Sequence, residues 1–303
     1  MSVPEGFQSG FIALVGRPNV GKSTLMNRLV GRKLAIMSDK PQTTRNKITA
    51  ILTTDDAQLI FIDTPGIHKP RHKLGEYMVG VARNVLSEVD VILFLVEADE
   101  KEIGPGDRYI MDLLKETKTP VILVINKTDL IENSKLLPLM EMYRHFLDFA
   151  HIIPVSALHG DNLQDLMETV TGLLPEGPKY YPDDMVTDQP ERAIIKEIIR
   201  EKVLHLTRDE IPHSVAIEIE EIRPRKNDLI YIRGTILTEK ESQKGILVGS
   251  KGQLLKKIGE LAREEIEHLL GSKVYLDLWV KVRKDWRNRD SYLRDLGYEF
   301  KDI

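Results

Sequence analysis

At 303 residues, the chain exceeds the roughly 100–200 residues of one ordinary domain, so two domains are expected. Its 42% hydrophobic and 30% charged composition suits folded, water-facing units and excludes a chain disordered throughout. The lack of cysteine removes disulfides, zinc–thiolate centres and thiol nucleophiles, and fits a reducing, cytoplasmic setting. The net charge of −4 is unevenly placed: residues 179–303 carry 24 basic and 24 acidic side chains, so the whole acidic excess lies in 1–178. Any nucleic-acid affinity of the second half must then come from local clustering. Met1–Gly10 lacks a basic start and apolar run, and no stretch of about 18 apolar residues occurs, so neither secretion nor membrane crossing is expected. Peripheral membrane contact stays open.

From Phe11 the chain alternates apolar β-rich runs with amphipathic stretches. Phe11–Val15, Gln58–Ile62, Asp90–Val96, Val121–Ile125 and Ile152–Val155 read as strands of a parallel sheet covered on both faces. Between them, Gly21–Val30, Leu74–Ser87, Gly106–Glu116, Leu136–Asp148 and Leu163–Leu174 have helical periodicity. The first half is therefore expected to be α/β, a mostly parallel doubly wound sheet with ligands at the carboxyl ends of its strands. Pro- and Asp-rich Pro175–Gln189 has no periodicity and divides the chain into 1–175, a linker 176–189, and 190–303. Pro190 then opens a helix with Ile194, Ile195, Ile198, Ile199, Val203 and Leu206 on one stripe. Strands are expected at Ser214–Ile222, Leu229–Leu237 and Lys273–Val282, with a broken helical region before the last. This half is α+β.

Gly16-Arg17-Pro18-Asn19-Val20-Gly21-Lys22-Ser23, with Thr24 after it as a further phosphate-binding candidate, follows the first strand and leads into the helical stretch Gly21–Val30, the setting of a phosphate loop (P-loop). Its glycines let N–H groups turn onto phosphates, Lys22 reaches the β and γ oxygens, and the Ser23 hydroxyl ligates Mg²⁺. Three further segments at strand ends select GTP over ATP: Asp63-Thr64-Pro65-Gly66, Asn126-Lys127-Thr128-Asp129 and Ser156-Ala157-Leu158. Asp63 would hold Mg²⁺ through water while the Gly66 N–H meets the γ-phosphate, so that the loop senses that phosphate. The carboxylate of Asp129 matches the N1–H and N2–H donors of guanine, where adenine presents an acceptor. Asn126 and Lys127 would buttress the ring. Many small GTPases orient the attacking water with Gln directly after this Gly, but the position here is Ile67, so hydrolysis by the free protein is expected to be slow. Neighbouring His68 is expected to be a solvated loop side chain.

In the second half, Gly249-Ser250-Lys251-Gly252 enters a helix through Leu254, Leu255 and Ile258, the pattern of a KH-domain GxxG loop clamping about four nucleotides. Lys251 and Lys256 add positive charge, and the αββααβ order suggests the bacterial KH topology. Two clusters extend the candidate RNA surface: Arg223, Arg225 and Lys226 in a hairpin turn, and Lys281, Arg283, Lys284, Arg287 and Arg289 near the C-terminus; for each residue the alternative is a solvated charged face. Tyr275 and Trp279 are expected in the core, and Trp286 either stacks on a base or packs inside.

Taken together, GRPNVGKS, the Pro41–Arg45 run, DTPG, NKTD, SAL and GSKG resemble the Era GTPases, within the translation-factor-related GTPases, over nearly the whole chain. The resemblance implies a P-loop GTPase domain followed by a KH domain. It implies Thr44, with Thr43 as the alternative, as a ligand of Mg²⁺ in the GTP state, and Asn19 as holding a K⁺ ion beside the phosphates. The RNA would be the 3′ region of 16S rRNA on the small (30S) ribosomal subunit, bound during its maturation by a monomeric protein. Rival expectations are a membrane-associated signalling GTPase and the GTPase module of an RNA-modification system, whose further catalytic domain or cofactor site is not found.

Overall fold

The computed structural model describes residues 4–38, 40, 42–70, 72–100, 102–226 and 228–298; Pro41 of the Pro41–Arg45 run lies outside them. Strands β1 (Gln8–Gly16), β2 (Ile48–Thr53), β3 (Ala57–Asp63), β4 (Val91–Glu97), β5 (Val121–Asn126) and β6 (His151–Pro154) form a six-stranded sheet in the order β2-β3-β1-β4-β5-β6. All pairs are parallel except β2 with β3. Alternate residues feed opposite layers. Ile12 and Leu14 pack with Leu25 and Met26 of α1 (Lys22–Val30) and with Leu166 and Val170 of α5 (Leu163–Leu173). Ala13 and Val15 face α2 (Lys73–Leu86), α3 (Pro105–Leu114) and α4 (Leu136–Arg144). Both faces of β1 are thereby dry, which explains its unbroken apolar run.

The antiparallel β2 is absent from the sequence expectation. It forms a hairpin with β3, closed by the Thr54 N–H donating to Ala57 O at 2.8 Å. The segment expected as a linker covers its outer edge: Ile51 N donates to Val186 O at 2.9 Å and Thr187 Oγ1 to Thr49 O at 2.6 Å. Covering an edge in this way removes a template for aggregation.

Helix α6 (Glu191–Leu206) and the short α7 (Ile211–Ser214) precede β7 (Ala216–Pro224), β8 (Leu229–Thr238), α8 (Glu241–Val248), α9 (Gln253–Leu270), β9 (Lys273–Val282) and α10 (Asp290–Asp295). The second sheet runs β7-β8-β9, the first pair antiparallel and the second parallel. Its inner face packs Ile232 and Ile236 against Ile195 and Ile199 of α6 and Ile258 and Ile266 of α9. One end of its outer face, at Ala216 and Leu237, is buried beneath Trp286, Leu293 and Tyr298 together with Leu74, Tyr77 and Met78 of α2. The two halves thus share a core, seated on the helix that follows the Asp63–Gly66 segment.

Candidate functional site

The loop between β1 and α1 is tightly constrained. Gly21 has φ 101°, and a Cβ there would fall 2.2 Å from Asn126 Nδ2, so only glycine lets the loop approach β5. Lys22 Nζ donates to Gly16 O at 3.1 Å and Arg17 O at 2.8 Å. Burial lowers its pKa from 10.5 to about 8, against the opposing pull of the Asp63 carboxylate. A cleft lined by Pro18, Asn19, Lys22, Ser23, Thr24 and Thr44 opens above it. The Arg17 side chain turns instead to Asp107 of α3, at 3.0 Å, and to Glu100, leaving its backbone at the loop. Val20 is fully buried and anchors the loop in the core beneath α1.

Three oxygens converge beside Lys22. Ser23 Oγ donates to Asp63 Oδ2 at 2.6 Å, Thr44 Oγ1 donates to the same oxygen at 3.1 Å, and the two hydroxyls lie 3.1 Å apart. Asp63 Oδ1 is buried with no hydrogen-bond partner, and burial raises the carboxyl's pKa against the influence of Lys22, Ser23 and Thr44. Hard oxygen donors with one lone-pair face unmet fit a small divalent cation. Thr43 turns away, donating to Lys40 O at 2.5 Å.

The Asp63–Gly66 segment lies against the same loop. Thr64 Oγ1 donates to Leu14 O at 2.7 Å, and a Cβ on Gly66 would meet Pro18 N at 2.6 Å, which holds Pro65 and Gly66 close against the phosphate loop. Ile67 N donates to Gly16 O at 3.2 Å while its side chain, 1% exposed, packs in the core layer over β1. The position where other GTPases place glutamine therefore points away from water. His68 Nδ1 lies 2.9 Å from Gly66 O, and its Nε2 lies 3.4 Å from the Gln42 amide.

At the end of β5, Asn126 Nδ2 donates to Val20 O at 2.8 Å and its Oδ1 accepts from Ala157 N at 2.9 Å. Asn126 is thus a clamp between two loops. Ser156 Oγ donates to Asp129 Oδ1 at 2.6 Å and aims the carboxylate. Lys127 pairs with Glu97, and Leu158 is 67% exposed at the rim. His159, which sequence reasoning missed, places Nε2 3.9 Å from Asp129 Oδ2.

In the second half, Gly249 (φ 70°), Lys251 (φ 52°) and Gly252 (φ 79°) occupy left-handed or extended-left conformations around Ser250. A Cβ on Gly249 would meet Leu254 Cβ at 2.9 Å. The turn exposes Lys251 at the mouth of a groove lined by Leu255, Lys256, Gly259, Tyr275 and Leu276. Arg225 and Lys284 are exposed. Tyr275 and Trp279 are not in the core: they are 54% and 57% exposed, because odd-numbered positions of β9 face outward from the helices. Trp286 is fully buried, its Nε1 donating to Ser214 O at 2.8 Å. Lys281, Arg283 and Arg287 are paired with Glu220, Glu218 and Glu239.

The halves also meet at the loop carrying Thr44. Fully buried Arg200 of α6 donates to Thr43 O and, at 3.5 Å, to Gln42 O while pairing with Glu197. Arg45 donates to Val215 O at 2.7 Å and lies 5.7 Å from the Trp286 ring centre. Glu201 accepts from Met37 N at 3.1 Å and from Lys33 Nζ at 2.6 Å.

A phosphate loop, a guanine-reading segment and a GxxG loop on one chain define a GTPase with an appended KH domain. Residues 11–127 match the family described as 50S ribosome-binding GTPase, and residues 210–287 match the KH domain. Among solved structures, Era in complex with MgGDPNP and nucleotides 1506–1542 of 16S ribosomal RNA is 44% identical, with a TM-score of 0.94 over 97% of this chain and 100% of that one. A variant of Aquifex aeolicus Era bound to GDP·AlF4⁻ matches with the same identity, coverage and TM-score. The chain belongs to the Era family of GTPases.

Proposed function

We propose that this chain is a GTP-driven switch of the small ribosomal subunit: residues 1–175 bind and hydrolyse GTP, the linker 176–189 edges the sheet, and residues 190–303 grip single-stranded RNA at the 3′ region of 16S rRNA during subunit maturation. The solved Era complex with a 16S rRNA segment, at 44% identity, supports that target. The observation that carries the reading is the docking of Arg200 on the backbone of Thr43, next to the Ser23–Thr44–Asp63 cluster.

Phosphates entering the cleft would take Lys22 Nζ from the loop carbonyls it now contacts, and the loop's N–H groups would hold them. Ser23 and Thr44, with Asp63 through water, would hold Mg²⁺, which supplies charge neutralisation of the β and γ oxygens. Asp129 would read guanine, braced by Ser156, while Asn126 keeps the phosphate and base loops in register. With Ile67 buried, no side chain at that position orients water, so hydrolysis by the free protein is slow. Asn19, left-handed at φ 69° on the cleft wall, is the residue for K⁺; equal rates in Na⁺ and K⁺ buffers would remove that role. A ribosomal RNA target sets the protein in the cytoplasm; among the described residues no helix is long and apolar enough to cross a membrane.

The test is binding of a fluorescent single-stranded RNA from the 16S 3′ end with GTP analogue, GDP or no nucleotide, for the wild type and Gly249→Asp. Tight binding with the analogue, weaker with GDP and lost in the variant, is the expected result. Binding indifferent to nucleotide and substitution would overturn the reading in favour of a membrane-signalling role, checked by liposome flotation.

A further inference from the structure

Strand β4 lies between β1 and β5. Its carboxyl end, at Glu97, therefore stands between the phosphate loop leaving β1 and the Asn126–Asp129 segment leaving β5. Glu97 is in register with Asn126, and its carboxylate meets a cation from each side: Lys127 of the base loop and, at 3.9 Å, Arg17 Nη2 of the phosphate loop. Helix α3 holds Arg17 from a third direction. Arg17 Nε donates to Asp107 Oδ1 at 3.0 Å, and fully buried Asp107 accepts at Oδ2 from the Tyr143 hydroxyl of α4 at 3.4 Å. Glu100 also pairs with Arg17.

Two features separate this cluster from a packing contact. The carbonyl of Arg17 accepts from Lys22 Nζ at 2.8 Å, so the Arg17 side chain anchors the backbone that Lys22 must leave when phosphates arrive. A loop anchored elsewhere keeps its shape through that exchange, which leaves less ordering to be done at binding. Helix α3 also makes room for Arg17: a Cβ on Gly106 would fall 2.5 Å from Arg17 Cδ. Gly106 lies inside the helix Pro105–Leu114, where alanine is the better helix former, so the glycine favours the seating of Arg17 over the helix itself.

We propose that Asp107 and Glu97 are positioning residues for nucleotide retention. Through Arg17 and Lys127 they brace the phosphate loop against the base loop, so that both ends of the nucleotide are gripped by one preorganised unit. The proposal rests on the reading of the cleft as a GTP site.

Release of a fluorescent GDP from the full chain is followed after mixing with excess GDP. Gly106→Ala removes no charge and no hydrogen-bonding group, but it displaces Arg17 from Asp107. Release should quicken about tenfold, at the low end for losing a hydrogen bond between charged groups, while the melting temperature holds or rises. Single-turnover hydrolysis of GTP already bound should stay within about threefold in this variant, because the brace supplies no group to the Ser23–Thr44–Asp63 cluster. Asp107→Asn and Glu97→Gln should also quicken release. In an Arg17→Gln background, Asp107→Asn should add less than about twofold, since its route to the nucleotide is already cut. Unchanged release in Gly106→Ala would overturn the brace and reduce the cluster to an ion pair that seats α3. So would a full further loss on adding Asp107→Asn to Arg17→Gln. In either case a wild type that still retains GDP leaves the GTP site standing; a wild type that retains no guanine nucleotide fells both.

Discussion

Asp129 presents one carboxylate oxygen to Ser156 Oγ at 2.6 Å, which fixes the plane of the group before any base arrives. Asp129→Asn keeps the shape but turns one acceptor into a donor, which faces the N–H groups of guanine and suits the 2-oxo group of xanthine. GTP affinity should fall roughly 100-fold or more, as expected when two hydrogen bonds to a charged group are lost, and binding of xanthosine triphosphate should appear. Calorimetric titration with both nucleotides decides it; undiminished GTP affinity would mean that Asp129 does not read the base. Thr44 and Thr43 make a second test. Only Thr44 reaches the Ser23–Asp63 pair, so Thr44→Ala should lower single-turnover GTP hydrolysis at least tenfold, while Thr43→Ala, whose hydroxyl serves Lys40 O, should leave it within about threefold. The choice between adjacent threonines was open in the sequence because either fits a polar loop; it turns on which side chain faces inward. The work of Asn126 was equally hidden, since its partners are the backbone atoms Val20 O and Ala157 N, which leave no mark in the identity of those residues.

Helix α2 is capped by His72, whose Nδ1 accepts from Gly75 N at 3.0 Å. That bond needs a neutral imidazole, and burial, followed by the nearby charges of Arg287, Arg45 and His68 and opposed by Glu239, lowers the pKa from 6.5 to about 4. The unfolded chain therefore binds this proton more readily than the folded one. The stabilisation is present above pH 6.5 and is lost as pH falls toward 4. His72→Asn keeps a capping acceptor without a titrating group. Its melting temperature should decline less than that of the wild type between pH 6.5 and 4, by scanning calorimetry; parallel declines would locate the acid sensitivity elsewhere. Strands with two dry faces were legible because their apolar runs are unbroken. β2 was not, because Ile48–Thr53 sets Thr49 and Thr53 among its apolar residues and takes its edge cover from the Val186–Thr187 segment, 138 positions away for the Thr187–Thr49 bond.

The docking of the two halves was the least legible feature, since it depends on pairs such as Arg200 with Thr43 and Arg45 with Val215, which lie 157 and 170 positions apart. Arg200 belongs to no motif, and the Pro41–Arg45 run carries Arg45 without showing its partner. Trp286, which in sequence suited either stacking on a base or packing inside, is fully buried at the junction beside α2. This arrangement gives nucleotide state a mechanical route to RNA: moving Thr44 moves the carbonyls held by Arg200, and Arg200 lies in α6, against which β7, β8 and α9 pack. Arg200→Lys keeps the charge but loses the planar fork that reaches Glu197 and two carbonyls together. In two-domain switches a coupling of 5- to 150-fold between ligands is typical; in this variant the ratio of RNA affinities with GTP analogue and with GDP should fall toward one. RNA affinity in GDP should change little, because Arg200 does not line the GxxG groove. Linkage requires the same loss in reverse, so RNA should no longer raise affinity for the GTP analogue. Measuring both directions separates uncoupling from damage: a destabilised α6 would weaken RNA binding in every nucleotide state, whereas a broken latch equalises the states. If the GTP-to-GDP ratio survives in Arg200→Lys, the signal runs instead through α2 and the shared core around Trp286, and Arg200 is only a packing contact.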